Sequence, residues 1–491
     1  MNRHMVDNSS LDALFIFPPL TLYERYGERK VGNVGGFLPP LGISYIASFL
    51  RQSGYRVDVI DALSLQMTED EIINAIKAGN PKVIGLSSLT PMFNRAVQLS
   101  KKIQEYFPEK LIIIGGQHAT IMTREILSDN ECFDIVVCGE GENAVLELVN
   151  SFRACNYDKK ELLGNADCLS KIKGIAFRNC STIVQNPAGD HIKDLDTLPF
   201  PAWDLLPMEK YIPLPNQYLR QPVVHMITTR GCPFVCSFCS CNAVFGRAIR
   251  SHSPQRVIES IKHVMEKYGT KEISFWDDTI TVNKKWIKDV CRRMIDEKLD
   301  ITWTCLSRVD TIDREMVSLM KRAGCWNIFF GFEAGNQELL DNIKKGIKVE
   351  QSKKVMKWMK EEGIEVRASF MLALPGETPE MAEETIKFAI ELDPDYAQFS
   401  VTTPYPGTSL YDNVEQYGSL SKDYSKYSLW SPVFVPYGYK DSDEVAKMEK
   451  RAIRKFYFRP KFIYSKFSRI KSFEDMKRYY KGFKMTIGLG R

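Results

Sequence analysis

Three cysteines form the clearest candidate for chemistry in this sequence. Cys232, Cys236 and Cys239 lie in the run Cys-Pro-Phe-Val-Cys-Ser-Phe-Cys and follow the spacing C-x3-C-x2-C. Three thiolates at this spacing can each bind a different iron of one [4Fe–4S] cubane, which leaves the fourth iron open to a small molecule. A structural zinc site is the alternative, with Cys241 as the fourth ligand that a closed site needs, although no second Cys/His pair follows at finger spacing.

Alternating strands and helices surround this motif. The apolar pattern predicts six strands, over 223–228, 272–275, 302–305, 327–332, 365–372 and 398–402. Six strand–helix units predict a partial barrel, because a closed barrel of this kind needs eight. Active sites of such barrels lie at the C-terminal ends of the strands, and the cysteines directly follow the first predicted strand.

Further polar and glycine residues follow the later strands in order. Asp277 and Asp278 follow the second strand, Arg308 follows the third, and Gly331, Glu333 and Gly335 end the fourth. Each has a simpler explanation on its own, such as a helix cap, an ion pair or a turn. The set indicates an active site more specifically than any single member does, because every residue lies at the C-terminal end of a predicted strand, where such barrels have their active sites.

Together with Phe238, these residues resemble the radical S-adenosylmethionine (SAM) superfamily. The resemblance implies that the cysteine triad ligates a [4Fe–4S] cluster, whose open iron binds SAM and whose electron releases a 5′-deoxyadenosyl radical. It also implies seven SAM contacts: Phe238, Asp277, Asp278, Arg308, Gly331, Glu333 and Gly335. In the segment 370–378, Ala373 stands where the family usually has glycine, which puts a close backbone approach there in doubt.

The first part of the chain predicts a separate doubly wound domain. Five strands are expected over 13–17, 55–60, 82–86, 111–114 and 134–137, and the intervening helices include 40–52 and 94–106. We assign 10–150 to this Rossmann-like domain and 151–205 to a linker with one hairpin. The barrel then covers 206–410, and a small basic helical region covers 411–491.

Small residues follow the strands of this first domain, where open parallel sheets bind ligands. The candidates are Ser87, Leu89, Thr90, Gly115, Gly116, Gly139 and Glu140. Tight turns that require glycine are the simpler explanation. The set resembles cobalamin-binding domains that precede radical SAM barrels, and the resemblance implies that these residues seat the corrinoid. The Asp-x-His-x-x-Gly signature of an axial histidine is absent over 18–24, and His118 is expected to be structural or to contact the nucleotide tail.

Composition supports a cytoplasmic globular protein. The 491 residues are 44% hydrophobic and 26% charged, and the sequence shows neither a signal peptide nor an apolar run long enough to span a membrane. The twelve cysteines fit a reducing compartment.

Basic charge is concentrated at the C-terminus. Residues 447–491 carry a net charge of +12, whereas the whole chain carries +5. Cations alternate with aromatic residues over 454–467, a pattern that suits an anionic membrane surface, nucleic acid, or simple packing on the barrel. Nucleic acid is the least favoured, because no RNA-binding module accompanies the segment.

The combined resemblance predicts a cobalamin-dependent radical methylase. Its cofactors would be the [4Fe–4S] cluster, SAM and cobalamin, and it would methylate an unactivated carbon of a small-molecule or lipid-like substrate. A flavodoxin or ferredoxin is expected as the electron donor. One alternative is an oxidative cyclase resembling the anaerobic magnesium-protoporphyrin ester cyclase; another is a non-catalytic Fe–S or zinc protein with a ligand-sensing domain.

Overall fold

The computed structural model describes residues 10–21, 35–428, 430–467, 470 and 473–490. The chain divides into two compact units. Of the described residues, the first unit contains those of 10–20, 39–193 and 197–210, and the second contains 21 and those of 35–38, 194–196 and 211–490.

A seven-stranded sheet forms the centre of the first unit. Its strands are β1 (Ala13–Phe17), β2 (Val57–Asp61), β3 (Val83–Ser87), β4 (Leu111–Gly115), β5 (Ile135–Val137), β6 (Ile175–Asn179) and β7 (Thr182–Gln185). They lie in the order β2-β1-β3-β4-β5-β6-β7. The first five are parallel, as their near-continuous apolar sequences indicate, which confirms the predicted doubly wound sheet.

Helices cover both sides of the parallel strands. They are Leu41–Gln52, Ala62–Leu65, Glu69–Gly79, Phe93–Tyr106, Gln117–Ile121, Thr123–Asp129, Gly141–Ala154, Lys159–Gly164 and Ala166–Leu169. Local signals set their ends: Thr68 and Glu71 form a capping box before Glu69–Gly79, and Asn80 ends that helix in a left-handed conformation.

The hairpin of the predicted linker 151–205 extends this sheet. Strand β6 pairs antiparallel with β5, through contacts such as Ile135 with Phe177, and β7 pairs with β6. Ile175 and Phe177 are fully buried. The description of 151–205 as a simple linker therefore needs correction, because the hairpin covers an edge strand that would otherwise expose its backbone polar groups.

Six parallel strands form the main sheet of the second unit. They are β8 (Val223–Met226), β11 (Glu272–Phe275), β12 (Thr302–Ser307), β13 (Cys325–Glu333), β14 (Glu365–Leu372) and β15 (Tyr396–Val401). Each pairs with the next one along the chain. This arrangement confirms the predicted six-stranded partial barrel. Short strands β9 (Thr229–Arg230) and β10 (Arg250–Ser251) form a separate antiparallel pair.

The two faces of the six-stranded sheet differ in polarity. On one face Phe330, Phe370 and Phe399 are buried, and Phe370 and Phe399 contact Phe388 and Phe456 of two covering helices. The other face carries small polar residues such as Ser274, Thr304 and Ser369, together with Gly331. Alternation of side chains along a strand produces this division.

The helices of the second unit follow their strands. They are Asn242–Phe245, Pro254–Tyr268, Lys284–Asp296, Arg314–Arg322, Gln337–Asn342, Val349–Glu362, Pro379–Leu392 and Ser409–Asp412. Ser253 caps Pro254–Tyr268 and left-handed Gly269 ends it, as the sequence predicts.

A C-terminal region follows the last barrel strand. It contains the antiparallel strands β16 (Gly418–Leu420) and β17 (Phe434–Pro436) and the helices Ser442–Tyr457, Pro460–Phe467 and Phe473–Gly490. None of the helices in the described ranges combines the length and apolar content needed to cross a membrane.

Candidate functional site

The cysteine motif lies in a loop that is closed at its base. Strands β9 and β10 pair Arg230 with Arg250 on the two sides of the loop. Gly231 precedes the first cysteine with φ +95°, and a Cβ there would collide with the carbonyl oxygen of Ala248. Glycine is therefore required where the chain enters the loop.

All twelve cysteines are free, and four of them lie in this loop. The Cys241 thiol hydrogen-bonds to Cys232 and Cys239, which lowers the pKa of Cys232 to about 7 and also lowers that of Cys239. The same hydrogen bonds raise the pKa of Cys241. Burial raises the pKa of Cys236, whose sulfur lies 3.4 Å from Nη1 of Arg308.

The donor set fits an iron–sulfur cluster. Three soft sulfur ligands share one loop, and a guanidinium group lies against one of them, where it would offset the charge of a cluster. In the described part of the chain, no three His, Cys, Asp or Glu side chains are gathered closely enough to ligate one metal ion. A cubane does not require such a gathering, because each cysteine binds a separate iron.

Asp277 and Asp278 occupy different environments. The buried carboxylate of Asp277 accepts hydrogen bonds from the backbone N–H of Thr228 (2.8 Å) and of Thr229, and from both threonine hydroxyls. Burial raises its pKa to about 6. Asp278 is exposed, although desolvation by its surroundings raises its pKa. Asp277 thus fixes the entry to the cysteine loop, and Asp278 retains an accessible carboxylate.

Arg308 connects the cysteine loop to the strand ends. Its guanidinium group donates to Asp310 (2.9 and 3.0 Å) and to the carbonyl oxygen of Lys345 (2.6 Å). The group also lies 3.6 Å from the ring centre of Phe234. These contacts hold the side chain in one position beside Cys236.

Glu333 forms a nearly buried ion pair with Lys345. The Lys345 Nζ lies 2.6 Å from Glu333 Oε1, and each side chain is 7% exposed. Glu333 has φ +64°, and the strand register shifts between Gly331 and Glu333. A Cβ on Gly331 would collide with Glu333 Oε1 and would lie 2.8 Å from Lys345 Nζ, so glycine makes room for the pair.

The remaining predicted SAM residues border this ion pair at different distances. The Phe238 ring centre lies 5.8 Å from Lys345 Nζ. Gly335 packs against Phe388 and donates its N–H to Thr385 (3.1 Å). The structure thus brings Phe238, Arg308, Gly331 and Glu333 together around Lys345, whereas Gly335 contacts the covering helix Pro379–Leu392.

Ala373 adopts the conformation that a glycine would favour. Its φ is +58°, and its N–H donates to Glu377 Oε1 (2.5 Å), which also accepts from the Tyr439 hydroxyl (2.7 Å). Glu377 is fully buried, and burial raises its pKa to about 7. The turn after β14 is therefore tied to the C-terminal region.

Two neighbouring strand ends form the candidate corrinoid site of the first unit. Ser87 pairs with Gly115 at the ends of β3 and β4. A Cβ on Gly115 would lie in ordinary contact with Val137, at 3.5 Å from its carbonyl oxygen. Gly116, with φ +97°, packs tightly on the backbone of Ser88. Gly116 is therefore required by the turn, whereas a small side chain would fit at position 115.

The other predicted corrinoid residues surround these strand ends. Leu89 is 43% exposed, whereas Thr90 is buried and contacts His118 Nδ1 (3.1 Å). Gly139 donates its N–H to Thr120 (2.9 Å) and Glu140 accepts from the N–H of Ile192 (2.9 Å).

His118 itself is almost fully buried, and burial lowers its pKa to about 4. These contacts agree with its expected structural role.

The donor set at this edge fits a corrinoid at Ser87, Leu89 and Gly115, which combine a hydroxyl group, an exposed apolar side chain and a residue without a side chain. The strand order changes direction between β1 and β3, where sheets of this type bind their ligands. The segment 18–24, which lacks the axial-histidine signature, lies partly outside the described residues.

The cations of 454–467 are mostly engaged by the protein itself. Lys455 pairs with Glu383 (2.7 Å), and Arg459 and Lys461 pair with Asp393 (3.2 and 2.8 Å). Arg454 donates to the carbonyl oxygen of Gly490 (2.9 Å). These contacts match packing on the barrel rather than a free basic surface.

Two residues of the site are not indicated by any pattern in the sequence. Lys345 lies between two helices among similar lysines, and Tyr439 lies more than sixty residues from its partner Glu377. Only the strand-end motifs signalled the region, because neither residue belongs to a recognisable spacing.

Comparisons with known proteins agree with this geometry. Residues 226–389 match the Radical SAM superfamily, and residues 30–149 match the B12 binding domain. An uncharacterised methyltransferase of Pyrococcus horikoshii is 36% identical over 92% of this chain and 94% of its own length. The anaerobic magnesium-protoporphyrin IX monomethyl ester cyclase of Rubrivivax gelatinosus is 30% identical over 96% of this chain and 81% of its own.

The fold also resembles a solved structure. The radical SAM methyltransferase TsrM from Kitasatospora setae, solved with cobalamin and a [4Fe–4S] cluster, superposes with a TM-score of 0.66. The match covers 83% of this chain and 75% of TsrM at 16% identity, so it supports the fold. Sequence motifs, site geometry and relatives along almost the whole chain agree: the protein belongs to the radical SAM superfamily, among the members that carry a B12-binding domain.

Proposed function

We propose that this protein is a cobalamin-dependent radical SAM enzyme that methylates an unactivated carbon. The observation that carries the proposal is the group of connected charged side chains, Arg308, Lys345 and Glu333, that lies beside the cysteine loop. The same chain also has a B12-binding domain. When bound, the cluster and SAM would supply the 5′-deoxyadenosyl radical and the corrinoid would supply the methyl group.

Cys232, Cys236 and Cys239 would hold the cluster in this proposal. Arg308 would place a fixed positive charge beside Cys236, because Asp310 and the Lys345 carbonyl hold its guanidinium group. Such a charge would favour the reduced form of a cluster ligated by thiolates.

The SAM contacts would divide between charged and small residues. Asp278 would accept hydrogen bonds from the amino group, since its carboxylate is exposed while that of Asp277 is occupied by Thr228 and Thr229. Lys345 would orient Glu333 toward the cosubstrate, and Gly331 would allow close approach. Phe238 would border the site, and Gly335 would support it by packing on Phe388.

Ser87, Leu89 and Gly115 would contact the corrinoid in the first unit. Thr90, Gly116, Gly139 and Glu140 would shape the surrounding turns through their internal hydrogen bonds and packing. Residues 18–24 lack the Asp-x-His-x-x-Gly signature, so no histidine of that segment would hold the corrinoid.

An oxidative cyclase is the second candidate, because the Rubrivivax cyclase matches nearly the whole chain. Both are tested by anaerobic reconstitution with iron, sulfide and a corrinoid, followed by addition of SAM and a chemical reductant. We expect a [4Fe–4S] spectrum and 5′-deoxyadenosine, and label from methyl-labelled SAM in the product would distinguish the methylase from the cyclase. A chain that forms neither would instead be a non-catalytic metal protein.

The partners and location belong to the same proposal. A flavodoxin or ferredoxin would supply the electron, and the substrate would be a small or lipid-like molecule. The protein would act in the cytoplasm, where its twelve free thiols stay reduced.

A further inference from the structure

Exposed apolar side chains are concentrated near the C-terminus. Among the described residues, seven of the thirteen exposed large apolar side chains lie between Phe458 and Phe483. Four of them lie on the helix Phe473–Gly490: Phe473, Met476, Tyr480 and Phe483, which are 64, 47, 57 and 53% exposed. Exposed side chains of this size, when contiguous, mark an interaction surface.

The four side chains form one stripe along the helix. At 3.6 residues per turn, positions 473, 476, 480 and 483 fall within a sector of about 80°. Lys477, Lys481 and Lys484 are exposed in the adjoining sector of about 60°. We call these seven residues the outer face of the helix.

The opposite side of the helix packs on its own unit. Arg478 donates to the carbonyl oxygen of Tyr218 (2.7 Å), Leu489 is 8% exposed, and the Gly490 carbonyl accepts from Arg454. The helix is therefore anchored through one side, which fixes the direction of the outer face.

The lysines of the outer face have no ion pair with any side chain that the structure describes. Those side chains exclude the ones at 474 and 475, and among the rest no carboxylate lies within ion-pair distance of Lys477, Lys481 or Lys484. Lys477 and Lys484 instead lie over the rings of Phe473 and Tyr480, 4.6 and 4.9 Å from the ring centres. This distinguishes them from Lys455 and Lys461, which pair with barrel carboxylates.

We propose that the outer face of Phe473–Gly490 binds an anionic lipid surface. An aromatic stripe with lysines along one edge is the arrangement of a helix that lies in a membrane interface, with the rings among the acyl chains and the ammonium groups at the phosphates. A second copy of this chain fits less well, because a symmetric contact would bring the two sets of lysines together.

Cosedimentation of the full-length protein with vesicles tests this proposal. We expect binding to phosphatidylcholine vesicles that contain about one third phosphatidylglycerol, and weak binding to pure phosphatidylcholine. The triple variant Lys477→Gln/Lys481→Gln/Lys484→Gln should lower the partition coefficient roughly 100-fold, because each lysine near an anionic surface contributes roughly a five-fold gain. The double variant Tyr480→Ser/Phe483→Ser should lower it at least roughly ten-fold.

The control is Lys455→Gln/Lys461→Gln, which removes two lysines that pair with carboxylates of the protein. This variant should leave vesicle binding unchanged. The outer-face variants should also unfold at the wild-type temperature, because they alter exposed side chains. No vesicle binding, or binding that ignores lipid charge and the lysine variant, would overturn the proposal. It would also be overturned if Tyr480→Ser/Phe483→Ser abolished self-association while vesicle binding persisted.

Discussion

Individual side chains determine how the cysteine loop is prepared for a cluster. Cys241 hydrogen-bonds to Cys232 and Cys239 and lowers the pKa of both, yet the C-x3-C-x2-C spacing assigns the ligand role to the other three cysteines. We therefore propose that Cys241 is an extra thiol outside the ligand set.

Single cysteine variants should separate these roles. Alanine at Cys232, Cys236 or Cys239 should abolish 5′-deoxyadenosine formation and lower iron content after anaerobic reconstitution, because each removes the ligand of one iron. Cys241→Ala should keep the cluster, as judged by iron content and the visible spectrum. Loss of the cluster in Cys241→Ala would show that the fourth thiol is a ligand.

His225 is a buried histidine on β8 whose two ring nitrogens have no hydrogen-bond partner in the described structure. Burial lowers its pKa to about 3, so the unfolded chain binds a proton more readily below pH 6.5. Protonation of His225 in the unfolded chain therefore lowers the free energy of unfolding as the pH falls from 6.5 toward 3. Above pH 6.5 the residue is neutral in both states and has no such effect.

His225→Phe should therefore weaken the pH dependence of stability. We expect the free energy of unfolding of the variant to fall less steeply between pH 6.5 and 4, by about 1.4 kcal/mol per pH unit at most. Denaturant unfolding at several pH values measures this difference. Equal slopes in the two proteins would mean that His225 is protonated or hydrogen-bonded in the native state.

Strand ends position the residues of the candidate SAM site. The register shift in β13 turns Glu333 back across Gly331 toward Lys345. Gly331→Ala should displace this ion pair and lower 5′-deoxyadenosine formation at least ten-fold, while iron content stays at the wild-type level. Gly42→Ala is the matched control, because an added methyl group there meets no atom within 4 Å.

Besides the contact of Phe456 with Phe399, one side chain of the helix Ser442–Tyr457 hydrogen-bonds to the backbone of β15. The Tyr457 hydroxyl donates to the Ala397 carbonyl (2.7 Å) and accepts from the Ala397 N–H (3.1 Å). Tyr457→Phe should leave both backbone groups without their partner and cost about 1–3 kcal/mol. Thermal unfolding should show a lower melting temperature, whereas Tyr464→Phe, at a highly exposed ring, should not change it.

The sequence predicted elements well where one local pattern dominated. Five parallel strands and six barrel strands appear where their apolar runs occur, and Pro254–Tyr268 begins and ends at its predicted residues. Local patterns predict the hairpin of 151–205 but not its pairing with β5, because that pairing is a long-range contact. They do not indicate Lys345 for the same reason, since only the fold brings it to Glu333.

At the scale of the whole molecule, the proposed function places cobalamin in the first unit and both the cluster and SAM in the second. Hydrogen exchange of the intact protein can test this division. Added hydroxocobalamin should slow exchange of the strand-end segments 87–90 and 115–118, whereas SAM added to the reconstituted protein should slow exchange of 331–335 and 343–347. Protection of only one unit by both molecules would contradict the assignment.

The paired strands β9 and β10 bear on the order of assembly. They join the two ends of a loop of about twenty residues, so the entropy of closing that loop is already lost in the folded apoprotein. A cluster donor would then meet thiols that are held in one segment rather than scattered along a flexible chain. Cluster insertion would follow folding of the barrel, and an apoprotein stored without oxygen should remain competent to receive iron and sulfide.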